Sequence, residues 1–211
     1  ERVMGMFGMD LSPDGKTLAV YQSPVRRLVD EFQVQPTRIA FYDAETGALK
    51  STAEAPRQIT LLAWSRDGSK LYGMGRRMHV FDATGQKIDE KPIHGWQTEQ
   101  YGQPDVLDVW SQFEVSGVMA APFYAPRLDL PAGDPTAFRT GLLTQDLATG
   151  ELKMQEVDVA DIFYFSTAVS PDKTRAYGVY NFLSSFDLET GKPIKRVPLP
   201  HSYYSVNVST D

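Results

Sequence analysis

A chain of 211 residues, 42% apolar and 11% aromatic, is long enough for a sizeable core and too apolar to be disordered. Its formal charge of −6, from 21 basic and 27 acidic residues, offers nothing to a phosphate backbone, and its densest basic spots are the pairs Arg26-Arg27 and Arg76-Arg77. Without cysteine it can hold no disulfide, no iron–sulfur cluster and no thioether-linked haem, and without an apolar run of about 18 residues it predicts no membrane-spanning helix.

The first predicted element is the strand ending at Leu11, entered through Met4-Gly5-Met6-Phe7-Gly8-Met9. Its glycines suit close packing near an axis. They do not make a phosphate loop, because no Gly-Lys-Ser/Thr follows and no helix is predicted. Ser12-Pro13-Asp14-Gly15-Lys16 then turns the chain into a strand over Leu18 to Tyr21. Pro fixes φ, Asp bonds to local backbone and Gly accepts φ > 0, so the phrase is a hairpin turn. An insertion over Gln22 to Thr37 follows, then a strand over Ile39 to Tyr42 and a second turn phrase, Asp43-Ala44-Glu45-Thr46-Gly47.

The same alternation returns. Ile59 to Trp64, Ser65-Arg66-Asp67-Gly68-Ser69, Leu71 to Met74, Met78 to Phe81 and Asp82-Ala83-Thr84-Gly85 repeat the order of strand and turn. After a connection over Pro92 to Pro104 comes a degenerate copy. Asp105 to Ser111 reads as its first strand, Pro122 to Thr140 as an insertion, Gly141 to Gln145 as its third strand and Asp146-Leu147-Ala148-Thr149-Gly150 as its turn. The last full copy runs through Phe163 to Val169, Ser170-Pro171-Asp172-Lys173-Thr174, Ala176 to Tyr180 and Asp187-Leu188-Glu189-Thr190-Gly191. Tyr203 to Val208 and Ser209-Thr210-Asp211 open another, and both ends of the sequence read as positions inside a longer protein.

Two hairpins in about 40 residues make a four-stranded sheet, the size of a propeller blade. The sequence therefore predicts an all-β chain, a β-propeller of about four four-stranded antiparallel blades plus the first strand of the next. The blades fall roughly at 4–55, 56–92, 104–157 and 161–198, with another from 201. Open edges at both ends make this a fragment of a larger ring.

If the strands of a blade are a to d from the axis outward, the tight a–b and c–d turns share one face. The b–c and d–a connections share the other, which carries all three long segments. They bring Trp96, Tyr101, Phe123, Tyr124 and Phe138 with them, and long aromatic loops on a rigid scaffold are expected to bind. The alternative is local burial under the loops themselves. Asp105 and Asp161, at strand starts on this face, are candidates for a partner salt bridge.

Catalytic chemistry is sparse. The three histidines, His79, His94 and His201, form no metal-spaced pair. His79 reads as a structural residue in a c strand and His94 as a surface one. His201 stands beside the start of an innermost strand, close to the axial opening, and Ser202 next to it has no nucleophile elbow. The methionines read as core filling and the recurring aspartates as turn formers.

Four strand-start words carry a resemblance. Pro56-Arg57-Gln58-Ile59-Thr60, Gln103-Pro104-Asp105-Val106-Leu107, Phe163-Tyr164-Phe165-Ser166-Thr167 and Pro200-His201-Ser202-Tyr203-Tyr204-Ser205-Val206 resemble the β subunit of quinohemoprotein amine dehydrogenase. The resemblance implies part of a seven-bladed propeller in a periplasmic heterotrimer that oxidatively deaminates primary amines. It implies no cofactor in this chain. A small γ subunit carries cysteine tryptophylquinone, and an α subunit, a dihaem cytochrome c, carries the c-type haems. This chain is then a non-catalytic scaffold for both. Trp96, Tyr101, Asp105, Phe123, Tyr124, Tyr164, His201 and Tyr203 are the expected interface or substrate-cavity residues, with no catalytic residue, metal, nucleic acid or membrane contact. A stand-alone binding propeller shares every turn phrase and is the alternative. A propeller hydrolase of the lactonase kind needs converging acid–base or metal groups that the sequence does not show.

Overall fold

Each turn phrase closes a hairpin in the computed structural model, which describes residues 2–3, 8–93, 99–106, 110–113, 115–131, 133–134, 136–159 and 164–210. At the first turn, Gly15 N–H donates to the Ser12 carbonyl at 2.8 Å, and Asp14 accepts from Ser12 Oγ at 2.6 Å and from Lys16 N–H at 3.1 Å. Gly15 takes φ +72°, as the phrase requires. In the copy at Ser170, Lys173 takes the same position at φ +57°.

The chain is all-β, with no helix among the described residues, and divides into two compact units, Glu1–Pro92 and Ile93–Asp211. The first unit begins with β1 (Arg2–Val3), β2 (Met9–Leu11), β3 (Thr17–Gln22), β4 (Pro24–Arg27) and β5 (Phe32–Val34). It continues with β6 (Arg38–Asp43), β7 (Leu49–Glu54), β8 (Ile59–Trp64), β9 (Lys70–Gly75), β10 (Arg77–Asp82) and β11 (Lys87–Pro92). Two four-stranded antiparallel sheets, β2-β3-β6-β7 and β8-β9-β10-β11, follow chain order as blades do. Between them lies one core that includes Tyr21, Ile39, Phe41, Ile59, Leu62 and Trp64. Asp10 ties the two sheets together. Its carboxylate accepts from Trp64 N–H at 2.7 Å, and its carbonyl accepts from the indole Nε1–H at 3.2 Å.

The predicted loop over Gln22 to Thr37 contains a hairpin, β4–β5, which pairs with β1 in a further sheet of order β1-β4-β5. Val25 pairs with Val34 and Arg27 with Phe32, around a turn in which Leu28 N–H donates to the Glu31 carbonyl at 2.9 Å. The hairpin has little apolar alternation to reveal it, because Leu28, Val29, Phe32 and Val34 are all exposed.

The second unit contains β12 (Asp105–Val106), β13 (Trp110–Gln112), β14 (Val118–Pro126), β15 (Phe138–Asp146) and β16 (Leu152–Val159). It ends with β17 (Tyr164–Val169), β18 (Arg175–Tyr180), β19 (Phe182–Asp187) and β20 (Pro193–Pro198). Two predicted boundaries are corrected here. The single strand over Asp105 to Ser111 is divided: β12 pairs antiparallel with β14, whereas β13 pairs parallel with β17 of the following sheet. The sheets are therefore β12-β14-β15-β16 and β13-β17-β18-β19-β20. The insertion predicted over Pro122 to Thr140 is shorter, since the β14–β15 ladder runs on to Pro126 opposite Phe138. Phe123, Tyr124 and Phe138 thus stand in strands. The two sheets share a core that includes Val118, Leu142, Tyr164, Val169 and Phe186.

Tyr203 to Val208, predicted to open a further blade, carries no strand. A ladder needs a partner strand. Instead Tyr203 N–H donates to the Tyr180 carbonyl at 2.9 Å and Val206 N–H to Ser166 Oγ at 3.3 Å.

Candidate functional site

Strand starts and strand ends meet on one rim of the second unit. β12 brings Asp105 opposite Tyr124, and the Tyr124 hydroxyl reaches across to β17. There it accepts from Tyr164 N–H at 2.9 Å and donates to the Tyr164 carbonyl at 3.3 Å. Tyr164 in turn pairs with Tyr180 at the end of β18. The tail folds onto that end: Ser202 Oγ donates to Asn181 Oδ1 at 2.7 Å, beside the Tyr203–Tyr180 backbone bond.

This path gathers aromatic rings. Phe165 stacks on Tyr180 with centroids 6.1 Å apart, and Tyr204 stands edge-on to Phe165 at 5.0 Å and to Tyr180 at 5.7 Å. The separations are those of favourable aromatic pairs, so the rings form a closed cluster with no cage between them. The Tyr204 phenol is raised above its ordinary value, first by its hydrogen bond with Tyr180. Tyr204 is 54% exposed and Tyr203 43%, while Phe165 and Tyr180 are half-buried. The rim therefore presents aromatic surface to solvent next to the exposed His201 and Asp105.

The predicted residues separate into two kinds. Asp105, His201 and Tyr203 are exposed and Tyr124 is half-buried, all along this rim. Tyr101, Phe123 and Tyr164 are core side chains, 3%, 0% and 2% exposed, and do not present their rings to solvent. Phe123 lies over Gly141 of the paired strand. Trp96, His94 and Asp161 lie outside the described residues. Tyr180 was not singled out from the sequence. The signal for it is the hairpin register, which places the end of strand b opposite the start of strand a.

Tyr101 anchors a polar group under the shortened insertion. Its hydroxyl donates to Glu156 Oε2 at 2.6 Å, and its ring lies 5.8 Å from the Arg127 guanidinium. Burial, then the bond to Glu156, raises the phenol above its ordinary value. Arg139 Nε stands 3.3 Å from Glu156 Oε1, and Arg127 forms a forked pair with Asp129. Each carboxylate here faces an arginine, which suits a clamp on the insertion better than an acid–base pair.

No group of three His, Asp or Glu side chains able to hold a metal ion occurs among the described residues. His79 lies buried in β10, opposite Glu90. Burial lowers its pKa, and the nearby Glu90 carboxylate opposes that shift without overcoming it. With no cysteine in the sequence, no thioether attachment of haem or quinone can be made on this chain.

No family model and no curated protein matches the sequence. Among solved structures the chain is similar to hydrazine synthase of Kuenenia stuttgartiensis, with a TM-score of 0.69 and 17% identity. The likeness covers 98% of this chain and 66% of that one. At that identity it speaks to the fold, and the consecutive four-stranded antiparallel sheets are of β-propeller type.

Proposed function

We propose that this chain is the propeller subunit of a periplasmic quinohemoprotein amine dehydrogenase that oxidatively deaminates primary amines. In this reading it is a non-catalytic scaffold. It docks a small subunit bearing cysteine tryptophylquinone and a dihaem cytochrome c subunit, and the seven-bladed ring is completed beyond these residues. The observation that carries the reading is the convergence of strand-start words on one rim. Asp105, Tyr164 to Ser166 and Ser202 to Val206 are about 40 or more positions apart in sequence, yet Tyr124, Tyr180 and Ser166 link them. They belong to three of the four words on which the resemblance rests; the fourth, Pro56 to Thr60, lies in the first unit. The rim combines exposed Tyr and His side chains over a rigid sheet end, the chemistry enriched in interface cores. The chain's lack of cysteine fits the same division of labour, because both kinds of redox centre need thiols supplied by a partner.

Amine-dependent reduction of an electron acceptor tests the reading. The protein containing this chain is combined with the quinone-bearing and dihaem subunits of an amine dehydrogenase. The proposal expects turnover only with all three, and no haem or quinone absorbance in the protein carrying this chain alone. Turnover by the two partners alone at the same rate, or a stable three-part complex with no activity towards any primary amine, contradicts it.

A further inference from the structure

We infer that the first unit holds a binding pocket for a small monocarboxylate with an apolar body, between the start of β8 and the β4–β5 hairpin. The hollow measures about 400 Å³ and is lined chiefly by Tyr21, Val34, Ile59, Ser23, Arg57 and Gln58. That volume lies within the usual range for small-molecule sites, and the mix of apolar wall with few polar groups is their usual composition. The inference is independent of the amine dehydrogenase reading.

The walls are fixed from several sides. Thr37 Oγ1 donates to the Ala55 carbonyl at 2.6 Å, and Ala55 N–H donates back to the Thr37 carbonyl at 2.9 Å. The Tyr21 hydroxyl donates to the Pro56 carbonyl at 2.9 Å. Pinned there, the chain enters β8 through Gln58 at φ +68°, a left-handed conformation costly for a glutamine. The strand opposite accommodates that kink with a glycine. A Cβ on Gly75 would stand 2.0 Å from the Gln58 carbonyl oxygen, so no larger residue fits without moving the rim. Backbone strain held this firmly at the lip of a concave surface is a mark of a built site.

Charge selects the ligand. Arg57 is exposed at the rim and has no salt bridge among the described residues, and no carboxylate lines the hollow. A cationic ligand therefore meets only a like charge, whereas a carboxylate meets a guanidinium able to bind it through two parallel bonds. Ser23 and Gln58, which carry a hydroxyl and an amide, also line the hollow. Tyr21, Val34 and Ile59 leave room for a short aliphatic chain or a single ring behind the charged end. A larger hollow of about 510 Å³ nearby is lined by Arg26 and Arg38 together with Glu54, and its mixed charges single out no ligand.

The test uses 3-phenylpropionate, its neutral amide and the matching phenylpropylammonium ion, titrated by NMR and calorimetry into the full chain and into Arg57→Gln. Arg57 is exposed, and a thermal melt confirms that the variant folds. The expected result is saturable binding in the order carboxylate, amide, ammonium, with shifts at the amides of Ser23, Val34 and Thr60. Arg57→Gln weakens the carboxylate about tenfold and changes the amide by less than about twofold. Val34→Asp, which places a carboxylate on the wall, weakens the acid further than the amide. Equal affinity for all three probes, an unchanged carboxylate affinity in Arg57→Gln, or no saturable binding overturns the inference.

Discussion

A single glycine decides how tightly the β12-β14-β15-β16 sheet closes. Gly141 sits opposite Phe123 in the β14–β15 ladder, and a Cβ there would lie 2.0 Å from the Phe123 ring. Phe123 is fully buried and cannot swing out without leaving a void. Gly141→Ala is therefore expected to destabilise the protein by about 1–3 kcal/mol or more, through overpacking. Urea denaturation checks this, and an unchanged midpoint would show that the sheet has slack the packing does not suggest. Such a pairing is hard to read from sequence. Phe123 lies in the stretch read as an insertion, yet it stands within β14, which also holds Pro122 and Pro126. Its aromatic character was visible and its burial was not. Tyr124 shows the same limit. Its hydroxyl serves Tyr164, 40 positions away, a partner that only the fold brings near.

Turns are the elements most legible in this sequence, because their chemistry is local. In each Asp-bearing phrase the carboxylate accepts bonds from residues within a few positions. These bonds hold Asp67 at about 2, through Ser65 Oγ first and then Ser69. Asp146 is also held at about 2: burial pushes it up, but the Lys173 ammonium and two backbone N–H groups outweigh that push. A carboxylate whose pKa is depressed on folding stabilises the fold above its unfolded value and loses that effect as pH falls through the folded value. The melting temperature is thus expected to hold from about pH 7 to about pH 5 and to fall between about pH 4 and pH 2. Replacing Asp67 and Asp146 with Asn should flatten that fall, and an identical acid limb in the variant would contradict the assignment. Even Lys173, in a glycine's place at φ +57°, leaves the turn intact. Insertions are the opposite case. The β4–β5 hairpin exposes most of its apolar residues, so its pairing leaves little trace in the pattern, and the placing of 105–106 and 110–112 in different sheets depends on the neighbouring strand β17.

At the scale of the whole molecule, alternating turn phrases were enough to predict an all-β chain of consecutive four-stranded sheets, because a short antiparallel connection leaves few other topologies. They could not predict the surface. Aromatics on the long connections looked alike in sequence, but Tyr101 and Phe123 went inward while Phe138 stayed exposed. The rim at Tyr124, Tyr180 and residues 201–206 is where the proposed partner surface and the rigid sheet ends coincide. Hydrogen exchange, followed with and without the quinone-bearing and dihaem subunits, tests that claim most directly. Exchange is expected to slow at 99–106 and 201–206, with the tight turns at 12–16, 43–47, 146–150 and 187–191 unchanged. Protection confined to those turns, with the rim exchanging as fast in the mixture as alone, would contradict it.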